Sequence, residues 1–461
     1  MLNKILLPSV IILFLLKIVA LNFTTFSLFG DEAQYWLWSK DIDFGYFSKP
    51  PFLSWVIRIY TEIVGSSFIS LKLLPSFVYL LIAWGIYNLL INSGLDKKNS
   101  LAGSLIFLFI PAVSFSSFII STDLFLLLFW TLSLNELIKI NKEQYLKNFI
   151  LLGIFLGLGV LSKYAAIYFV ICLFVLILLD QRFRKIFFNN LIGFSMTFLS
   201  VLIIIIPNII WNYNNGWITL QHTSDNANFA NIEIDLIRGL EFLLIQILML
   251  GPFIVLGGLY GFNKWNYIQK IFLIFSMPVI LIVFMEAIIV RANANWAAPA
   301  LISLFLVLYI RINISFFKIA NIIFNFAVCF VLFAMIGISY PSKIFDRIDG
   351  LNDYALKIYN SSSNGVVKNI VVSDRLLFSS LNFELKDMNI NFYMPHKEGE
   401  EITNHFKIVS PLSKNINENF TLIGSPSDIN YLENQYKLVR INSPDQNFTK
   451  RKFNVYEVIF E

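Results

Sequence analysis

The sequence predicts a polytopic α-helical membrane protein of about eleven crossings, closed by a small α/β domain. Three observations carry that prediction. Hydrophobic residues make up 57% of the 461 and charged residues only 14%, with a mean hydropathy of +0.69, whereas a soluble globular chain is roughly 25% charged. Long apolar runs recur as far as residue 340. From Pro341 onward the composition turns polar, and short β-rich runs alternate with turn-rich segments.

The first apolar run, 5–21, follows Lys4 and has no small-residue cleavage site after it, so it reads as a retained signal anchor. Ten further runs follow at 71–91, 101–120, 124–140, 149–161, 164–179, 188–206, 236–259, 271–290, 297–310 and 319–338. Each is compatible with the roughly 17 to 25 residues of a crossing once boundary error is allowed. Basic residues test the arrangement, because cytoplasmic loops are the basic ones. Lys97 and Lys98, then Lys139, Lys142 and Lys147, then Arg182, Arg184 and Lys185, then Lys264 and Lys270, then Arg311 and Lys318 share one side if 149–179 is a hairpin turning at Ser162-Lys163-Tyr164. One long helix from Phe149 would instead put the Arg182 cluster outside, against the positive-inside rule. The hairpin reading leaves the N-terminus cytoplasmic. It puts two large loops (22–70 and 208–235), the turn 291–296 and the whole tail outside.

The expected organisation is therefore a membrane domain over 1–340 and a soluble extracytoplasmic α/β domain over 341–461, a size within the ordinary domain range. Strands are expected at 369–373, 390–394, 406–409, 420–423, 437–441 and 455–460, and a helix at 351–359. No internal repeat is visible. The net charge of +5 comes from clusters between apolar runs, where it orients the chain in the bilayer; nucleic acid is not an expected partner. Cys172 and Cys329 both lie inside apolar runs, which supports neither a disulfide framework nor a thiolate metal site.

Charge placed beside the first span is where chemistry is expected. Gly30-Asp31-Glu32-Ala33-Gln34-Tyr35-Trp36 is followed by Gly45-Tyr46-Phe47-Ser48-Lys49-Pro50-Pro51. Outside a bacterial inner membrane there is no pool of ATP or nucleotide sugar, and the chain has neither a Gly-x-x-x-x-Gly-Lys loop nor a dinucleotide fingerprint. A group transferred there must arrive on a lipid. Such a reaction needs a carboxylate to deprotonate an acceptor and cations to stabilise the departing phosphate. Asp31 suits the base, with Glu32 as a helping or orienting neighbour, and Lys49, stiffened by two prolines, suits the phosphate. The plainer alternatives are a helix cap for the acids and a snorkelling side chain for the lysine.

Asp123, at the outer head of the fourth run, Lys163 at the hairpin tip and Arg291 in the outer turn are three more charges among apolar neighbours, and near-membrane charge is a functional hypothesis by default. Asp123 also suits an N-cap. Lys17, inside the first run, has no evident role beyond snorkelling. Tyr35, Trp211, Trp217, His222, Asn295 and Trp296 are the expected sugar or acceptor contacts, because rings stack on sugars; an interfacial aromatic belt is the competing explanation. No metal site is expected. Asp41 and Asp43 have carboxylate-pair spacing, but such pairs are common in loops, and a divalent cation is an optional helper that no residue demands.

Asp-Glu with its aromatic cluster, Tyr-Phe-Ser-Lys-Pro-Pro, Thr122-Asp123-Leu124, Gly157-Leu158-Gly159-Val160-Leu161-Ser162-Lys163-Tyr164, Trp211-Asn212 with Gly216-Trp217, and Ala294-Asn295-Trp296-Ala297-Ala298-Pro299-Ala300 together resemble the bacterial dolichyl-phosphate-mannose-protein mannosyltransferase-like family. The resemblance covers about residues 1 to 340; the tail only loosely resembles the family's soluble domain. That family has the GT-C membrane fold and includes the aminoarabinose transferase that modifies lipid A. The resemblance implies an inverting hexosyl- or pentosyltransferase. Its donor would be a sugar on polyprenyl phosphate, usually undecaprenyl phosphate. Its acceptor would be periplasmic: lipid A, lipopolysaccharide, another envelope glycan or a protein. Asp31 matches the family's first acidic position, Asp123 the second, Lys49 the lysine facing donor phosphate, and Lys163 the lysine of the Ser-Lys-Tyr turn. The competing classes are a lipid-linked sugar flippase, against which the absence of repeats and midplane charge argues, and an O-antigen polymerase or ligase, whose key residues usually lie in later outer loops. The sugar, the acceptor and the oligomeric state are not readable from the chain.

Overall fold

The computed structural model describes residues 2–227, 233–261, 265–362, 368–397, 399–412, 418–446, 448–449 and 451–459. Lys264, and most of the turn-rich stretch around Asn364, fall outside the described residues. The chain clusters into two compact units: Met1–Ile18 with Lys49–Leu53 and Leu71–Phe333, and Val19–Ser48 with Ser54–Ser70 and Ala334–Glu461.

The first unit is helical, built around the helix Asp123–Lys142, which is buried on nearly every side. Beside it run Leu146–Ser162 and Leu191–Asn214. Gly153 and Gly157 let those two helices touch: a Cβ on Gly153 would stand 2.3 Å from the Thr197 carbonyl oxygen, the close approach that small residues four apart permit in membranes. Thr197 adds a bond, its hydroxyl donating to the Phe149 carbonyl at 2.8 Å.

Six described helices are long and apolar enough to cross a membrane, up to eight if each of two bent pairs is one span. The bends are 106° between Tyr164–Leu179 and Gln181–Asn189, and 89° between Leu236–Leu250 and Pro252–Tyr260. The second bend is made by Gly251, whose φ of +93° favours glycine, followed by Pro252 at the first helical position. Where the sequence predicts one span at 101–120, the chain instead forms Lys97–Phe107 and the short helix Pro111–Ser116. Proline at 111 forces Ile110 into the extended region (φ −90°, ψ 142°) and cannot continue the preceding helix. The run expected to end at 206 continues as helix to Asn214 despite Pro207.

The second unit carries a five-stranded mixed sheet in the order β2-β1-β3-β5-β4: β1 Lys368–Val372, β2 Ile390–Tyr393, β3 Phe420–Gly424, β4 Lys437–Ile441 and β5 Asn454–Ile459. β1 pairs in parallel with β2 and β3, and β5 pairs antiparallel with β3 and β4. The expected strand at 406–409 is instead one turn of helix, Phe406–Val409. The Asn404 side chain accepts from the amides of Phe406 and Lys407 at 3.0 and 3.3 Å, and so caps a helical turn.

The same unit contains Gly30–Trp38, a helix within the 22–70 segment. It packs on Arg375–Glu384: a Cβ on Gly30 would lie 2.7 Å from Leu376 Cβ, and Trp36 meets Phe383 edge-on at 5.1 Å. Phe26 stacks near Phe345 at 4.9 Å, and the Ser27 amide donates to the Ile348 carbonyl at 3.0 Å.

Candidate active site

In the helical unit the structure brings Asp123, Lys163 and Asn295 together from three separate parts of the sequence. Asp123 is the first residue of its helix and forms no side-chain cap. Its Oδ1 instead accepts from Lys163 Nζ at 2.6 Å, and its Oδ2 from Asn295 Nδ2 at 3.0 Å. The side chains of the ion pair are only 14% and 18% exposed. Helix Leu146–Ser162 ends at the expected place, with Lys163 extended at φ −159° before a 3₁₀ turn over Tyr164–Ala166. Extended backbone there delivers the ammonium to the carboxylate. Next to it, the Tyr164 hydroxyl donates to Asn208 Oδ1 at 3.0 Å and accepts from Asn212 Nδ2 at 3.2 Å. This clasp ties the turn to the last turns of Leu191–Asn214 and explains why that helix outruns its apolar stretch.

Two further cations of this unit are almost fully buried. Lys17 (2% exposed) donates to Ser76 Oγ at 2.7 Å and to the Ser117 carbonyl at 2.5 Å. Lys72 (0% exposed) donates to the Phe118 carbonyl at 3.4 Å and lies over the Phe118 ring at 4.4 Å. Both brace the stretch that precedes Asp123, so the lysine the sequence left unexplained is a structural tie.

In the second unit Asp31 stands in the first turn of Gly30–Trp38 with its side chain 60% exposed, where the helix dipole favours negative charge. The capping is done by Glu32: fully buried, it accepts from the Phe29 amide at 2.8 Å. The adjacent acids thus divide between an exposed carboxylate and a structural one. Arg375 Nη1 lies 3.5 Å from Asp31 Oδ1 and donates to Gln34 Oε1 at 2.6 Å. Neither Arg375 nor Gln34 stands out in the sequence, because the pairing joins positions 341 residues apart.

Tyr35 is buried, 5.7 Å edge-on from Trp38, and Trp211 is buried inside its helix, so both aromatic rings are core residues. Trp217 occupies a left-handed turn at φ +60° and is 40% exposed. His222 is half-buried on Ile218–Ala227. Arg291 and Asn295 are exposed, and Trp296 and Lys49 half-buried, with Pro50 and Pro51 buried behind the lysine. Among the described residues no group of three His, Cys, Asp or Glu could hold a metal ion.

The sequence profile of the dolichyl-phosphate-mannose-protein mannosyltransferase family matches residues 48–211. Over 393 residues, 82% of each chain, the protein is 27% identical to the lipid A galacturonosyltransferase RgtD of Rhizobium johnstonii. It is also 27% identical to that organism's lipopolysaccharide core galacturonosyltransferase RgtA, over 44% of this chain and 40% of the other. Among solved structures, ArnT from Cupriavidus metallidurans bound to undecaprenyl phosphate superposes with a TM-score of 0.68 at 13% identity, covering 98% of this chain and 97% of that one. The chain has the ArnT-like GT-C fold. The ArnT match spans the apolar helices and the C-terminal sheet alike, and the chain is a multi-pass helical membrane protein of that fold.

Proposed function

We propose that the protein moves a sugar from a polyprenyl-phosphate carrier to lipid A or the lipopolysaccharide core on the periplasmic face of the inner membrane. The carrying observation is the match to RgtD over 82% of both chains. The undecaprenyl phosphate bound in the ArnT structure supports the donor class. Galacturonate is the first sugar to test, since RgtD, RgtA and RgtB all carry it in their names.

In this reading the N-terminus is cytoplasmic, and the soluble domain from 341 onward is periplasmic. The reaction is a single displacement. Asp31, exposed at a helix N-terminus, takes the proton of the acceptor oxygen. That oxygen bonds to the anomeric carbon from the face opposite the leaving group, the bond from that carbon to the phosphate oxygen breaks, and the configuration inverts. Lys49 and Arg291 receive charge on the departing polyprenyl phosphate. Lys163, already held by Asp123 at 2.6 Å, lends the phosphate a partly neutralised charge and fixes the Asp123 carboxylate. Asn295, Trp296, Trp217 and His222 are the acceptor or sugar contacts.

The test is transfer of radiolabelled sugar from a panel of undecaprenyl-phosphate sugars to membrane extracts with native acceptors, using purified wild type, Asp31→Asn and Lys49→Ala. Wild-type transfer with both folded variants inactive is the expected result. Transfer that survives both substitutions overturns the residue roles, and transport of lipid-linked sugar without transfer replaces the enzyme reading with a flippase.

A further inference from the structure

The second unit holds a cavity of about 720 Å³ whose wall includes Asp31. The other charged groups lining it are Lys343, Asp346, Arg347, Asp374 and Arg451. Arg451, Asp374 and Asp31 are committed to partners. Arg451 binds Asp428 at 2.6 Å and Ser425 Oγ at 2.7 Å. Asp374 caps Arg375–Glu384 through the amides of Leu376 and Leu377, both at 3.0 Å, and faces Arg451 at 3.9 Å. Asp31 faces Arg375. Lys343 and Arg347 make no ion pair or side-chain hydrogen bond among the described residues, and both are exposed, with Asp346 the acid beside them in sequence. The rings of Phe29, Phe448 and Phe453 also line it, and Ser380 and Thr449 add hydroxyls.

Two uncommitted cations, three aromatic rings, hydroxyls and a candidate base in one cavity describe a receptacle for a phosphorylated sugar. A guanidinium grips phosphate through two parallel bonds and an ammonium adds a point charge, while the rings cover a sugar face. We propose that this cavity is the acceptor site, and that Lys343 and Arg347 bind a phosphate group of the acceptor glycolipid so that its reacting oxygen lies at Asp31. The assignment rests on the transferase reading above, from which the test must be separable.

Binding of the full-length protein in detergent is measured to three probes: lipid A bearing its phosphates, the same lipid A after dephosphorylation, and undecaprenyl phosphate. Inorganic phosphate serves as competitor. Wild type should prefer phosphorylated lipid A. Lys343→Ala/Arg347→Ala should lose that preference by about tenfold, the scale of a lost charge-assisted contact. Its affinity for undecaprenyl phosphate should not change, and Arg347→Lys should restore part of the preference. In transfer assays the double variant should raise the acceptor KM and leave the donor KM alone. Equal binding of the two lipid A forms overturns the proposal, as does an effect confined to undecaprenyl phosphate. Competition by inorganic phosphate at concentrations matching the lipid makes this a free-phosphate site and overturns it too. Phosphate-dependent lipid A binding without transfer from any lipid-linked sugar leaves the cavity standing and removes the transferase reading.

Discussion

Lys163→Met removes the ammonium from a carboxylate that the fold has nearly taken out of water. At 2.6 Å and an effective dielectric of about 20, the gross attraction is about 6 kcal/mol. Much of that offsets the desolvation of two charges, so the net worth of the intact pair is smaller. Breaking it is a different matter, because the Asp123 carboxylate, 14% exposed, keeps its charge and retains only the Asn295 amide at 3.0 Å. Removal of one partner of a buried pair costs about 3 to 5 kcal/mol; the residual exposure here points to the lower end, about 3 kcal/mol. Lys163→Met/Asp123→Asn leaves no orphan charge and should recover about 2 kcal/mol of that loss, a coupling that adjacent charged groups routinely show. Unfolding of the four proteins of this cycle by a denaturing detergent reads the coupling directly. Losses that add to within about 0.5 kcal/mol would mean the two groups do not interact, and the central contact of the helical unit would be refuted.

Burial holds the His405 imidazole well below its ordinary range, at about 4, where it packs edge-on to Trp38 at 5.6 Å and Tyr46 at 5.1 Å. Its folded form is neutral, so the unfolded chain binds the extra proton first. The contribution is complete above about 6.5 and falls away as the pH drops toward 4, a loss of about 3 kcal/mol. Asp43 opposes the shift. Unfolding free energies of wild type and His405→Gln should converge as the pH falls across that window, and parallel curves would show that the imidazole is not the titrating group. Gly251→Ala should destabilise the helical unit by about 1 to 3 kcal/mol, since it combines a strained φ of +93° with a Cβ 2.6 Å from Asn321 Oδ1. Adding Asn321→Ala should relieve the crowding and not the backbone strain, so thermal shift should recover only in part; full recovery would put the whole cost in the clash.

The apolar runs by themselves determined that the chain is a multi-pass helical protein, because a crossing must satisfy its own backbone bonds and needs continuous apolar length. Short β-rich runs bounded by turn-rich segments placed five of the strands of the C-terminal sheet for a similarly local reason. Motif spacing was also enough to point to Asp31, Asp123 and Lys163, since charge beside an apolar span is conspicuous in one dimension. Hydropathy could not say that Asp123–Lys142 is the buried centre of its unit, because lipid and protein interior look alike to it. It also ran through the break at Pro111, where a missing amide outweighs an apolar average. Only the tertiary structure decided which of the two adjacent acids is exposed, as capping geometry buries Glu32 and leaves Asp31 at the surface. It alone paired Asp123 with Lys163 across 40 residues and brought Arg375 to Asp31, and it alone buried Tyr35 and Trp211. Those outcomes depend on distances through space between residues far apart in the chain, which local pattern does not encode.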